Sequence, residues 1–318
     1  MQKKASPGKN SSPSLAAAIR ESTRVELLNI GALLLLYAMV TLTFPISWAT
    51  HNAGLQMKVT SIGTLIMCAV CIWHSLHLKG VRQTMIFFAL SWVITFIAEF
   101  LGSNYGLIFG EYDYTAVMGP SIGGVPLLIP VSWGIYQYAA FMFIDWLLDM
   151  GGGRRGANWY SRAAWSALVA LATGASLAAI DLMLDPVYVS GLWHTLLGWE
   201  PWWWWEGGAY LPDLVVWKGA GGIPIQNFFG WAGVTFVMIF IFHFFFQEED
   251  RAANKLIAVI PLLLYAYSTY VVGLELVVMQ WHDPGLMQAL VIGIFATGPL
   301  ILLGVLKFCK GYWTAPGA

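Results

Sequence analysis

Residues 286–308 read LMQALVIGIFATGPLILLGVLKF, and the 21 positions from Leu286 to Leu306 carry no charge. Wound into a helix at about 1.5 Å per residue, such a stretch matches the roughly 30 Å hydrocarbon core of a bilayer. Seven further stretches of this kind run near 27–49, 59–78, 84–101, 125–148, 163–184, 224–246 and 256–280. The composition agrees: 58% of the 318 residues are hydrophobic and 10% charged, with a mean hydropathy of +0.67. A soluble domain carries about 25% charged residues, so this chain cannot build a water-facing surface. The 33 glycines and 17 tryptophans also suit a membrane protein. The expected fold is therefore all-α, a polytopic membrane bundle of about eight transmembrane helices. Sixteen basic against 17 acidic residues leave a net charge of −1, which excludes nucleic-acid binding as a main activity. Three cysteines make no disulfide framework.

The bundle is expected to occupy 27–308, between a polar tail (1–26) and a short end (309–318), both cytoplasmic. The tail, rich in Ser, Lys and Pro, is expected to be disordered or interfacial. It is too long and polar to open a signal peptide, so no cleavage is expected. Counted over successive loops, Lys and Arg fall 14 on one side and 2 on the other, which sets both termini inside. The expected location is the cell's inner (cytoplasmic) membrane, crossed many times. The long loops 102–124 and 185–223 then face outward. The second holds Trp193, Trp199, Trp202, Trp203, Trp204, Trp205 and Trp217, read as an interfacial aromatic belt or as the lid of a lipid-like ligand site.

The segment Gly123-Gly124-Val125-Pro126-Leu127, with Trp133 six residues on, recurs as Gly221-Gly222-Ile223-Pro224-Ile225, with Trp231 six residues on. Paired glycines permit a tight turn, and proline suits the first helical position because its missing N–H would be unpaired there. The helix before each copy ends near an acidic residue, Glu99 or Asp181. This pattern predicts two parallel helix–loop–helix repeats with a shared cavity where they meet.

Ionisable residues at membrane depth are functional candidates by default. The assigned topology puts Glu99, Asp181 and Glu275 in the outer half of the bilayer. Asp185 follows Asp181 by four residues, on the same helical face, and the loop adds Glu111 and Asp113. These six carboxylates are expected to converge where basic residues are almost absent. Clustered carboxyl groups without nearby cations suit proton donation to a weakly basic substrate, while an ionised neighbour accepts a proton from water. Aromatic faces alongside them can stabilise a carbocation.

Asp145 and Asp149, at the cytoplasmic end beside Arg154 and Arg155, are read as interfacial pairing groups. Cys68 and Cys71 are spaced C-x-x-C but lack a strand–helix redox context, so small packing roles are expected. His74 and His77 form an isolated H-x-x-H, and no dense histidine box, Walker loop or dinucleotide fingerprint is present. No metal is expected.

Gly106-Leu107-Ile108-Phe109-Gly110-Glu111-Tyr112-Asp113-Tyr114-Thr115, followed by Gly119-Pro120 and Gly124-Val125-Pro126 through Trp133, resembles the membrane carotenoid 1,2-hydratase family. These are carotenoid biosynthesis proteins of the γ-carotene and bisanhydrobacterioruberin hydratase type. Asp181-Leu182-Met183-Leu184-Asp185-Pro186 matches a second motif of that family, and Gly222 through Asn227 to Trp231 a third. The similarity covers roughly residues 95–235. One departure is an apparent insertion, Leu211 to Ala220, which is expected to border the cavity and leaves the substrate open.

The resemblance implies addition of water across the terminal C1–C2 double bond of an acyclic carotenoid, giving a tertiary alcohol without any cofactor. The catalytic pair is then expected to be Asp181 and Asp185, with Glu99, Glu111 and Asp113 as supporting or alternative acids. Tyr112, Tyr114, Trp133, Asn227, Trp231 and Glu275 are expected to bind the substrate. The implied partners are an acyclic carotenoid or related isoprenoid lipid, the bilayer, and other enzymes of the same pathway. Competing readings are a carotenoid or isoprenoid cyclase, another lipid-modifying membrane enzyme, or a proton-coupled transporter. Transport needs a polar path to both faces, and the cytoplasmic half carries no matching relay of carboxylates.

Overall fold

A computed structural model describes residues 24–148, 158–247 and 259–309. The tail before Arg24, the segment with Asp149, Arg154 and Arg155, and the end after Cys309 lie outside the described residues. The long helices are α1 (Arg24–Ala49), α2 (Ala53–Leu78), α3 (Gly80–Tyr105), α4 (Leu128–Leu148) and α5 (Trp159–Tyr188). A short helix, α6 (Leu192–Leu197), precedes α7 (Ile225–Ile241), α8 (Ile260–Met279) and α9 (Leu286–Cys309). A π-type turn, Phe242–Phe246, continues α7. Over the described residues, each apolar stretch read from the sequence corresponds to one long helix, so the chain is a nearly all-α, polytopic membrane bundle.

Seven of these helices are both long and apolar enough to cross a membrane. The remaining long helix, α4, has 21 residues but carries Gln137, Asp145 and four tyrosine or tryptophan side chains. It is buried almost throughout from Ile129 to Ile144, so protein rather than lipid surrounds it. Helix ends reach beyond the apolar stretches where polar residues cap them. The Asn52 side chain accepts from the Leu55 N–H at 2.9 Å, and Asn158 accepts from the Ser161 N–H at 3.0 Å.

The two ends of the bundle differ in chemistry. At one end the loops pair: β1 (Tyr112–Tyr114) runs antiparallel to β4 (Trp203–Trp205), in the register Tyr112↔Trp205, Asp113↔Trp204, Tyr114↔Trp203. A small hairpin, β2 (Ser121–Ile122) with β3 (Val125–Pro126), leads into α4. At the other end, where no strands pair among the described residues, Arg162 lies over Phe244 at 5.5 Å, Lys307 over Trp146 at 5.1 Å and Lys79 over Phe141 at 5.3 Å, as Lys218 lies over Trp217 at 3.9 Å on the loop side. Long basic side chains that bury their stems and keep the head at a helix end are typical of a membrane interface.

The repeat is visible in the backbone. Gly124 and Gly222 adopt φ of +85° and +76°, a region L side chains rarely enter. Each is followed by a branched residue, Val125 or Ile223, with no exposed surface. The equivalent rings of Trp133 and Trp231 stack on each other, 3.9 Å between centroids and 20° between planes. The units α3–α4 and α5–α7 thus meet face to face, joined by the β1–β4 pair. At Gly174 on α5 there is no room for a Cβ, because the Ala232 carbonyl of α7 occupies the space.

The different ends predict the labelling pattern of single cysteines. Asp113→Cys and Lys218→Cys should react with an impermeant maleimide from the periplasmic or external side only. Arg162→Cys should react from the cytoplasmic side only. Labelling of Asp113→Cys from the cytoplasm would reverse the orientation.

Candidate functional site

A cavity of about 310 Å³ lies between the paired loops and the two repeats. Its walls include Glu99 from α3, Trp133 and Tyr136 from α4, Asp185 and Tyr188 from α5, and Asn227 and Trp231 from α7. The loop side is closed by Tyr112 and Tyr114 from β1 and by Trp202, Trp203 and Trp205.

Glu99 is 4% exposed and collects three donors. The Tyr112 hydroxyl donates to Oε2, the Tyr114 hydroxyl donates to the same atom at 2.6 Å, and the Trp133 indole N–H donates to Oε1 at 2.8 Å. Strand alternation explains the convergence: side chains two apart on β1 point the same way, so both phenols turn inward. Burial, and then the nearby Glu99 charge, hold both phenols well above the usual tyrosine range. They therefore remain O–H donors at any physiological pH.

The second repeat builds a different centre. Asp181 and Asp185 are 0% and 1% exposed, one helical turn apart on α5. The Asn227 amide donates to Asp181 Oδ2 at 2.8 Å and to Asp185 Oδ2 at 2.5 Å. The Trp203 indole N–H donates to Asp185 Oδ1 at 3.1 Å. One amide thus serves both carboxyl groups. Asp185 lines the cavity, whereas Asp181 sits behind it.

Glu275, 1% exposed, stands apart from the cavity wall. Gln56 donates to its Oε1 and accepts in turn from the Ser47 hydroxyl at 2.5 Å.

The convergence of six carboxylates is corrected to a smaller set. Glu111 and Asp113 are exposed: the alternation that turns Tyr112 and Tyr114 inward turns Asp113 outward, and Glu111 packs over Gly106. The inserted segment is also corrected, for none of residues 211–220 lines the cavity. Instead Leu211, Leu214 and Val216 are buried, and the Val215 carbonyl accepts from the Gly191 N–H at 2.8 Å, fastening the segment beside α6.

At the far end, Asp145 lies 3.7 Å from His243 Nε2 and accepts from Gln247 at 3.3 Å. His74 contacts the Tyr138 hydroxyl at 2.8 Å, and His77 is 3.9 Å from Glu26, so the two histidines serve different partners. Cys68 and Cys71 are free thiols. The sequence reading missed Trp203 as a donor to Asp185 and Tyr136 and Tyr188 as wall groups. The signal for Trp203 was available: W-x-W in 203–205 repeats the alternation of Y-x-Y in 112–114.

A membrane-embedded bundle with buried acids in an aromatic-walled cavity is the class that fold and site define. The family described as carotenoid biosynthesis protein matches residues 57–297, and the chain belongs to that family. It is 27% identical over 241 residues to bisanhydrobacterioruberin hydratase of Haloarcula japonica, covering 74% of this chain and 70% of that relative. No solved structure matches. The resemblance drawn from the three sequence motifs is thereby borne out.

Asn227→Leu removes the donor shared by Asp181 and Asp185. Leaving a buried acceptor without its partner costs about 1–3 kcal/mol, so the melting temperature of the purified protein should fall by several degrees. An unchanged melting temperature would show that the amide does not hold the pair.

Proposed function

We propose that this protein adds water across the terminal C1–C2 double bond of an acyclic carotenoid, acting as a hydro-lyase in the cytoplasmic membrane without a cofactor. The observation that carries this reading is the Asp181–Asn227–Asp185 unit facing the same aromatic-walled cavity as Glu99. Membership of a carotenoid biosynthesis family and the hydratase relative support it.

In this mechanism the Asp185 carboxyl breaks its O–H bond and delivers the proton to C2. The π electrons of the double bond form the new C2–H bond, and C1 becomes a tertiary cation. Water adds to C1, forming the C–O bond, and the oxonium loses a proton to the carboxylate of the Asp pair. The pair ends as it began, so each turnover consumes one alkene and one water. The rings of Trp133, Trp231 and Tyr112 line the cavity and put aromatic π density beside the cation. Glu99, held by its three donors, adds an acceptor set in place before charge develops. Asp181 is held beside Asp185 by their common amide donor, a second carboxyl group one helical turn from the reacting one.

The test is substitution of the pair in cells that make an acyclic carotenoid, with products separated and weighed. Asp181→Asn and Asp185→Asn should each reduce hydration about 100-fold or more, the usual contribution of a positioned acid or base. Acids that act as a unit are not additive, so the double variant should be scarcely worse than either single one. Asp145→Asn at the cytoplasmic end should retain most of the activity. Near-normal turnover in both outer variants would make the pair structural and leave Glu99 as the acid. Activity should also survive chelators and proceed without nicotinamide or flavin, and a strict need for either would sink the proton-transfer mechanism.

A further inference from the structure

The cavity is not sealed on all sides. On its inner and loop faces the wall is tight: Trp133 and Trp205 are 2% exposed and Tyr112 7%. Two other wall residues, Leu65 on α2 and Leu128 on α4, are 70% and 53% exposed. Ser61, a turn before Leu65, is exposed as well and also lines the cavity. The space beside Glu99 and Asp185 therefore continues to the outer surface of the bundle between α2 and α4.

The depth of this opening identifies what faces it. Ser61 and Leu65 lie eight and twelve residues into α2, about 12–18 Å below its loop end at 1.5 Å per residue. Ser132 and Ile135, on the α4 side, lie about 6–10 Å below theirs by the same rise. These depths fall within the hydrocarbon, so the opening meets acyl chains and not water. Small side chains keep it wide: Thr60, Ser61 and Thr64 border it on α2 and Ser132 on α4. The Thr64 hydroxyl donates back to the Thr60 carbonyl at 2.9 Å, which occupies its polar group within the helix. At about 310 Å³ the cavity is at the small end for ligand pockets. It houses the end of a long polyene and not the whole chain.

We propose that a linear isoprenoid chain reaches the carboxyl groups sideways from the bilayer, end first, through the opening between α2 and α4, and leaves its unreacted length in the lipid. The identity of the reacting end rests on the hydration reading, whereas the lateral route does not.

The two are separated by measuring binding and turnover in one set of variants. The full chain in nanodiscs is titrated with lycopene, an acyclic carotenoid whose absorption quenches tryptophan fluorescence, and products are then weighed. Ser61→Phe and Leu65→Phe should weaken binding at least 10-fold and slow hydration in proportion. Leu34→Phe, lipid-facing on α1 and 56% exposed in the native chain, should match the native protein in both. Asp185→Asn should bind lycopene normally and yield no alcohol. Native affinity in both Ser61→Phe and Leu65→Phe overturns the lateral route, whatever the products are. Weakened binding in those two variants, with no alcohol from the native protein, upholds the route and removes the hydration reading.

Discussion

Carboxyl groups buried at membrane depth, with no ion pair to them among the described residues, are the constraint that organises this molecule. An isolated charge there is expensive, and an unpaired polar atom costs several kcal/mol in hydrocarbon. The fold answers with neutral donors in place of basic side chains. Two phenols and an indole serve Glu99; an amide and an indole serve Asp181 and Asp185; a glutamine serves Glu275. Neutral donors hold a carboxyl group in place without neutralising it by ion pairing, which leaves it able to give or take a proton.

Delivering those donors requires the paired loops. Tyr112 and Tyr114 reach inward because β1 has a strand's alternation, and β4 brings Trp203 opposite Tyr114 by the register of the same pair. The repeat then explains why two unlike centres share one cavity. Counting from the common prolines Pro126 and Pro224, Asn227 of the second copy stands where the first has Ile129. One copy thus carries an amide that joins two acids, while the other leaves a single glutamate to the aromatic loop. The stacked Trp133 and Trp231 are the part that stayed the same, and Trp133 serves both as packing partner and as donor to Glu99.

Much of this was legible in the sequence because hydropathy reports lipid contact residue by residue. The helices, the glycine–proline repeat and the carboxylates Glu99, Asp181 and Asp185 follow from local pattern alone. Asn227 stood in the third family motif, though its bridging of two acids needed the geometry of α5 against α7. What was not legible depends on long-range pairing. The direction in which Glu111 and Asp113 point is set by a three-residue strand whose partner lies about ninety residues on. The inserted segment 211–220 carries no periodicity that would tell a lid from a clasp, and only its contacts beside Gly191 show that it is the latter. The opening between α2 and α4 escapes hydropathy altogether, since Leu65 reads alike whether it faces lipid or a cavity.

The central claim, that a buried carboxyl group protonates an alkene and water completes the product, is tested most directly in heavy water. Purified protein incubated with an acyclic carotenoid in D₂O should yield a tertiary alcohol carrying one non-exchangeable deuterium on the neighbouring carbon for each hydroxyl gained. A hydroxyl acquired without carbon-bound deuterium, or consumption of the carotenoid with no hydroxylated product, would contradict the account.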